Sequence, residues 1–477
     1  MKRILMLSIK CLIVLIYLLI LGVLTYYIHK LNIIPNKYLI VGYGSISIVT
    51  IIAFVILFRS IELVPRILSA VIIFIMTILF SIGIYYLNHT YHFLRGTQVD
   101  YDTLSYNVIV LKDKYNKISE LKNKNITYLN DDYKLEIKEN INKKIVFNEI
   151  ITSDLSKLID MLNKGETDAI VLEESYVNLA KEEIEGFSNN TKIIYTFRVR
   201  VKAHKEESNV NVIKDPFIIY ISGIDQYGSV NSVRGRSDVN QLLVINPNTH
   251  HILIVNTPRD YYVHLHGTSG LRDKLTHAGI YGIEKSISTM EDIYGIDIDH
   301  YIRINFDTLI KVVDVIGGLD IYSDKAFVPW TNKSVYVNAG WNHFNGVQAL
   351  AYARERKTYV DGDHHRGRNQ QQIIEAIIDK LTSTSTLLNK YNSILNSLDG
   401  SFQTDMDTSM ITSFIKYQLD KMPKWTVESI QSDGYASWNY TYSMGYNYYL
   451  WVMEPNWNSV NINKNKIQEV LNEREGE

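Results

Sequence analysis

Hydrophobic and polar positions follow three patterns along the chain. Near the N-terminus apolar residues run on almost unbroken. Cys11 to Ile28 and Tyr38 to Phe58 carry no charge, and Ile67 to Leu87 lies in the uncharged interval between Arg66 and Arg95. A membrane-spanning helix needs about 20 apolar residues, so each run predicts one. A cleaved leader is the rival for the first run. Its apolar stretch is too long for that, no small-residue cleavage site follows, and two more spans come directly after. An uncleaved helix is expected.

From residue 97 to 213 the apolar runs are short. Val108-Ile-Val-Leu111, Ile126-Thr-Tyr-Leu129 and Ala169-Ile-Val-Leu172 predict buried strands. Leu155 to Asn163 puts Leu158, Ile159 and Leu162 on one helical stripe, which Gly165 ends. The segment holds no triad, metal cluster or phosphate loop. It reads as a small α/β accessory domain, a spacer or interaction module without a catalytic role.

Residues 214–477 mix both rhythms. Phe217-Ile-Ile-Tyr-Ile221 is a strand leading into Ser222-Gly-Ile-Asp225, and Gln241–Ile245 and Ile252–Val255 flank the turn Asn246-Pro-Asn-Thr249. Helices are predicted over Tyr281–Tyr294, Phe306–Ile316, Asn345–Arg354 and Asn369–Leu381. Without strict alternation the expected fold is an α/β sandwich around a mixed central sheet. The chain as a whole is then α/β: a three-helix transmembrane anchor (residues 1–96), an accessory domain (97–213) and a catalytic domain (214–477).

Charge separates the parts further. The net charge is −2, from 49 basic and 51 acidic residues. Up to Gln98 the basic residues are Lys2, Arg3, Lys10, Lys30, Lys37, Arg59, Arg66 and Arg95, against Glu62 alone, so the remainder is strongly acidic. An acidic body argues against nucleic-acid binding. Basic residues flanking the spans favour a cytoplasmic N-terminus, which places everything after about residue 95 outside the cell. ATP is scarce there, so a transfer reaction needs a pre-activated donor. The one cysteine, Cys11, lies in the first span and leaves the body with no disulfide, thiol nucleophile or Cys-ligated metal.

Within the acidic body, arginines gather at predicted element ends: Arg236, Arg259, Arg354, Arg356 and Arg366. A guanidinium holds its charge when partly buried and forks onto phosphate oxygens, so a converging set points to a diphosphate. Asp225 and Asp238 would hold Mg²⁺, a hard ion usually bound by one or two carboxylates plus phosphate oxygens. Singly, each of these residues is more often a turn, cap or surface group. Their shared placement carries the argument. His364-His365 has no i,i+4 partner and is not taken as a metal site. Behind the arginines, Ile373, Ile374, Ile377, Ile378 and Leu381 form an apolar stripe, first of all core packing. The sharper alternative is a wall for a polyprenyl tail.

The order Ser222-Gly-Ile-Asp225, Arg236-Ser-Asp238, Thr257-Pro-Arg259-Asp260, Asp273-Lys274-Leu-Thr-His-Ala278, Gly317-Gly318, Tyr352-Ala-Arg354-Glu-Arg356 and Gly362-Asp363-x-x-Arg366 resembles the LytR-CpsA-Psr family, from about Asp215 onward. Three spans, an accessory domain, Tyr442-Ser-Met-Gly-Tyr446 and Val452-Met-Glu-Pro-Asn-Trp457 are similar to its capsule-associated CpsA members in Gram-positive bacteria. The resemblance implies an extracellular, membrane-anchored phosphotransferase. It would move a glycopolymer, capsular polysaccharide above all, from undecaprenyl pyrophosphate to peptidoglycan through a phosphodiester, alongside other capsule-assembly proteins. It implies Mg²⁺ on Asp225 and Asp238, a catalytic set of Arg236, Asp238, Arg259, Arg354 and Arg356, and substrate binding by those arginines with Asp363, Arg366 and Gln370. Asn369 stands where many relatives carry a second arginine, so Arg368 is not carried over. A polyprenyl-pyrophosphate hydrolase using water as acceptor, as main or side activity, is one alternative. A non-catalytic sensor of lipid-linked polymer is the other. An Asp as general base is expected, without a choice among them.

Overall fold

The structure is a computed structural model that describes residues 2–96, 101–202, 210–224, 234–383 and 402–474, without the side chains of residues 2, 3, 93–96 and 102. Helices α1 (Lys2–Leu31), α2 (Asn36–Arg59) and α3 (Leu63–Gly96) are each long and apolar enough to cross a membrane. They meet along Tyr17, Leu24, Ala53, Leu57, Ile73 and Phe80, while outward residues such as Ile40, Ile51 and Phe74 stay uncovered. That surface suits lipid, because a helix bonds its interior backbone groups within its own segment.

The accessory domain holds β1 (Tyr101–Leu111), β2 (Asn125–Leu129), α4 (Lys134–Asn142), β3 (Asn148–Thr152), α5 (Leu155–Lys164), β4 (Ala169–Glu173), α6 (Glu174–Glu183), α7 (Phe187–Asn190) and β5 (Thr191–Lys202). Its sheet runs β3-β2-β4-β1-β5 and is mixed. Alternate side chains of one strand enter opposite cores. Val108, Val110, Tyr128 and Val171 pack with Ile137 and Ile141 of α4. Ile109, Ile170 and Leu172 pack with α5 and α6, and also with Ile280, Met444 and Leu450 of the last domain. Asp154 caps α5 by accepting from the Lys157 amide, and Gly165 closes it in the left-handed region at φ 75°.

The last domain contains β6 (Phe217–Ile224), β7 (Ser237–Asn246), β8 (His251–Asn256), β9 (Tyr262–Val263), β10 (Asp273–Lys274), α8 (Ala278–Tyr281), α9 (Ile283–Tyr294), β11 (His300–Asn305), α10 (Phe306–Ile316), β12 (Leu319–Ser323), β13 (Gly340–Phe344), α11 (Gly346–Ala353), α12 (Asp363–Thr382), β14 (Gln403–Thr404), α13 (Thr408–Lys421), β15 (Thr426–Gln431), β16 (Gly434–Thr441), β17 (Gly445–Pro455) and α14 (Trp457–Asn472). Its main sheet, β14-β11-β6-β7-β8-β15, is mixed as expected. Strands buried on both faces read as unbroken apolar runs. Ile218, Tyr220, Leu242 and Val244 face α9 and α14, while Phe217, Ile219, Ile221 and Leu243 face α12 and α13. The result is an α/β/α sandwich.

Two differences from the sequence reading have clear causes. The helix predicted from Asn369 starts earlier, because residues 363–368 form the first turns of α12. Gly367 inside those turns disguises the helix, yet a Cβ there would strike the Asn256 side chain, so the glycine lets α12 approach β8. The hairpin β16–β17 went unread because its exposed face, with Trp438, Tyr440 and Tyr449, breaks the polar-out rule. The anchor also docks on the body. Leu31 and Ile33 pack with Ile411, Ile415 and Leu419 of α13, Lys37 Nζ lies 3.2 Å from Asp420 Oδ1, and Lys416 Nζ donates to Asn32 Oδ1 at 2.8 Å.

Glu173 at the start of α6 is buried, its Oε1 has no hydrogen-bond partner, and burial pushes its pKa up to about 7 from 4.5. A raised acid withholds stability as pH climbs through its folded pKa and costs nothing below its unfolded one. Glu173→Gln keeps the oxygen that caps α6. It is expected to raise the accessory domain's unfolding midpoint by a few degrees at about pH 8 and to change it little below about pH 4.5. Thermal melts at both pH values check this.

Candidate active site

Strands β6, β8, β11 and β15 run in one direction, and their carboxyl ends meet the start of β7. In open α/β sheets that edge is where ligands bind. A Cβ on Gly279 would collide with the Gly235 carbonyl, so this glycine makes room for the segment that delivers Arg236 to the edge. The Asn305 side chain caps α10 by accepting from the Thr308 amide, which fixes the turn carrying Phe306.

A cavity of about 220 Å³ opens there. Arg259, Arg354, Arg356, Lys357 and Arg366 line it, with Asp238, Glu182, Gln370 and Trp330. Ile224, Phe306, Leu309, Leu350, Ile373 and Ile374 supply apolar wall. Asp238 Oδ2 accepts from Arg259 Nη1 at 2.7 Å, Oδ1 accepts from Thr276 Oγ1 at 2.9 Å, and Arg236 Nε stands 4.0 Å from Oδ1. Burial works against the Asp238 charge, but Arg259, Arg236 and Arg366 together hold it far below the usual carboxylate range. Burial likewise opposes the Arg259 charge, and Asp238 and Asp260 raise its pKa well above normal. For Arg366 burial wins and lowers the pKa, although Asp363 lies 2.6 Å from its Nη2. The Arg354 guanidinium lies 4.1 Å over the Phe306 ring, a cation–π contact that orients it.

The model of the LytR_cpsA_psr family matches residues 184–466, more than half of the chain. The chain belongs to the LytR-CpsA-Psr family. Among curated relatives, the polyisoprenyl-teichoic acid–peptidoglycan teichoic acid transferase TagU of Bacillus mycoides (strain KBAB4) is 28% identical over 256 residues, 53% of this chain and 82% of that protein. TagU of Enterococcus faecalis is 31% identical over 212 residues, 44% and 68% of the two chains. Solved structures also align: Bacillus subtilis TagV at 28% identity, over 54% of this chain and 98% of that one with TM-score 0.45. TagT with bound octaprenyl pyrophosphate aligns at 25% identity, over 56% and 94% with TM-score 0.42.

Of the residues picked from sequence, Asp238, Arg259, Arg354, Arg356, Arg366 and Gln370 line this same cavity. Arg236 and Asp363 stand behind that lining, paired with Glu182 and Arg366 respectively. Asp225 lies outside the described residues. Among the described residues no three His, Cys, Asp or Glu side chains gather as a metal cluster. Arg368 turns outward to Asp361, and Asn369 donates instead to the Tyr352 carbonyl at 3.1 Å, tying α12 to α11. Of the apolar stripe, Ile373 and Ile374 reach the cavity, whereas Ile377, Ile378 and Leu381 pack in the cores. Sequence reasoning missed Lys357, adjacent to Arg356, and Glu182 from the accessory helix. Glu182 comes from the segment that the sequence reading leaves without a catalytic role, and its pairing across domains leaves no local motif.

Asp238→Ala removes the acceptor shared by Arg259 and Thr276. Breaking a buried ion pair costs about 3–5 kcal/mol, so a lowered unfolding midpoint is expected. Arg368→Ala severs only an exposed pair and is expected to stay within about 0.5 kcal/mol. Denaturant melts of the two variants check the contrast.

Proposed function

We propose that this protein transfers a glycopolymer, capsular polysaccharide in particular, from a polyprenyl-pyrophosphate carrier to peptidoglycan, on the outer side of the membrane. The observation that carries the reading is the two-part cavity. Five cations stand on one side for a diphosphate, and Ile224, Leu309, Leu350, Ile373 and Ile374 on the other for an isoprenoid chain. Membership of a family whose curated relatives are named as teichoic acid transferases agrees with it. The three apolar helices and the docked anchor keep the cavity beside a lipid substrate's own phase.

In this mechanism Arg259, Arg354, Arg356 and Arg366 bind the diphosphate oxygens from the cavity wall, and Arg236 joins them once the diphosphate is seated. An acceptor hydroxyl on peptidoglycan attacks the phosphorus that carries the sugar. The new P–O bond forms as the bridging P–O bond breaks, and its electron pair leaves on the polyprenyl monophosphate. The acceptor proton passes to a nearby carboxylate or water. Guanidiniums fixed by Asp238, Asp363 and Phe306 need no reorganisation as charge moves onto the leaving phosphate. A carboxylate on the cavity wall is the hard oxygen donor that Mg²⁺ takes. Asp238 with Asp225 would hold the ion, which when bound would neutralise charge on the leaving phosphate.

Incubating the full-length chain in detergent with a polyprenyl-pyrophosphate oligosaccharide, Mg²⁺ and peptidoglycan fragments is expected to give a phosphodiester-linked product with one polyprenyl monophosphate per transfer. Mass spectrometry reads both. Sugar phosphate released equally without acceptor would identify a hydrolase instead, and omission of Mg²⁺ tests the metal.

A further inference from the structure

The C-terminal turn of α6 carries two adjacent acids, Glu182 and Glu183. A helix C-terminus already bears partial negative charge, so acids there destabilise their own helix unless cations compensate. Here the cations come from the other domain. Glu182 pairs with Arg236, and Glu183 Oε1 lies 3.2 Å from Lys274 Nζ. Lys274 Nζ in turn lies 3.7 Å from Asp260, the carboxylate beside Arg259. Two residues earlier than Arg236, Arg234 stacks over Tyr133 of the accessory domain at 5.6 Å. The accessory domain therefore grips the strand that leads into the diphosphate site.

Glu182 is part of the cavity wall, and Arg236 is not among the described residues lining the cavity. The Arg236 side chain is 13% exposed, that of Glu182 47%. The glutamate thus lies on the cavity side of the arginine. It also lies two residues before the family match, which begins at residue 184.

We infer that Glu182 is an intramolecular anion that occupies Arg236 while the site is empty, and that the donor's diphosphate must displace it. The accessory domain then sets donor affinity by competition, like charge against like charge on one guanidinium. The inference rests on the diphosphate reading of the cavity. Half exposed and on a helix end, the glutamate can swing aside at little packing cost, whereas Asp238 stays clamped beneath by Arg259 and Thr276.

The test uses the full-length chain in detergent, with steady-state kinetics on a polyprenyl-pyrophosphate oligosaccharide and calorimetric binding of inorganic pyrophosphate. Glu182→Gln is expected to lower the donor KM and the pyrophosphate Kd by about three- to tenfold, with kcat unchanged within about twofold. Glu182→Asp, which keeps the charge, should remain near wild type. In an Arg236→Ala background the Glu182→Gln effect should vanish, because there is no guanidinium left to contest. A KM and Kd that rise or stay unchanged in Glu182→Gln would overturn the inference, as would a full effect persisting without Arg236. Wild-type protein that neither binds pyrophosphate nor turns over the donor would instead overturn the reading of the cavity itself.

Discussion

The site depends on confining like charges around one carboxylate. Arg236 and Arg259 both face Asp238, and Arg366 is close enough to depress its pKa as well. Two unit charges 4 Å apart interact by about 4 kcal/mol at an effective dielectric of 20, so bare arginines at such spacing would push each other toward solvent. Asp238, Asp260 and Asp363 hold them in place while leaving donors for a ligand. Arginine suits this better than lysine, because its planar fork can serve a carboxylate with one edge and a phosphate with another.

Helix α12 links that head site to the membrane side. Arg366 and Gln370 lie one turn apart and both reach the cavity, and Ile373 and Ile374 continue the same wall. One turn later Ile378 packs into the layer that holds Phe414 and Ile411 of α13, and Ile411 also touches the core formed with Leu31 and Ile33 of the anchor. Twenty helical residues span about 30 Å, so cationic site, apolar wall and anchor lie along one continuous line. In the proposed reading, an isoprenoid leaving the bilayer would meet apolar side chains along it, with its diphosphate at the N-terminal end of the helix, where Arg366 lies.

The legible parts of this chain were those in which one local signal decides the structure. Phe306–Ile316 is read correctly to the residue, because its apolar stripe ends at the Gly317 stop, and the structure adds an Asn305 cap at its start. The β7–β8 hairpin follows from two apolar runs around Asn246-Pro-Asn-Thr249. Lys30 and Lys37 blurred the charge signal for orientation, since both lie at the end of the anchor that meets the body. Lys37 pairs there with Asp420, and Lys30 lies 4.0 Å over Tyr91, so each charge has a structural use unrelated to membrane insertion. The arginine cluster was visible because it recurs at element ends. Glu182 was not, because nothing near it in sequence announces Arg236, 54 positions later.

The same limit explains why the accessory domain reads as inert on its own. Its carboxylates Asp131, half-buried, and Glu173, buried, face Arg234 from the catalytic segment, which lowers both pKa values against the larger effect of burial. Its helix-end acids answer Arg236 and Lys274. The helix-end acids are unfavourable within one domain and compensated across two, and Arg234 offsets part of the burial cost of the other pair. At physiological ionic strength charges more than about 8 Å apart on the surface are screened, so the acidic body as a whole does little to repel an anionic polymer. Among the described residues, Asp238 and Glu182 are the acids on the cavity wall itself. The distribution of acid matters more than its amount, and one of the acids on the cavity wall, Glu182, comes from the accessory domain.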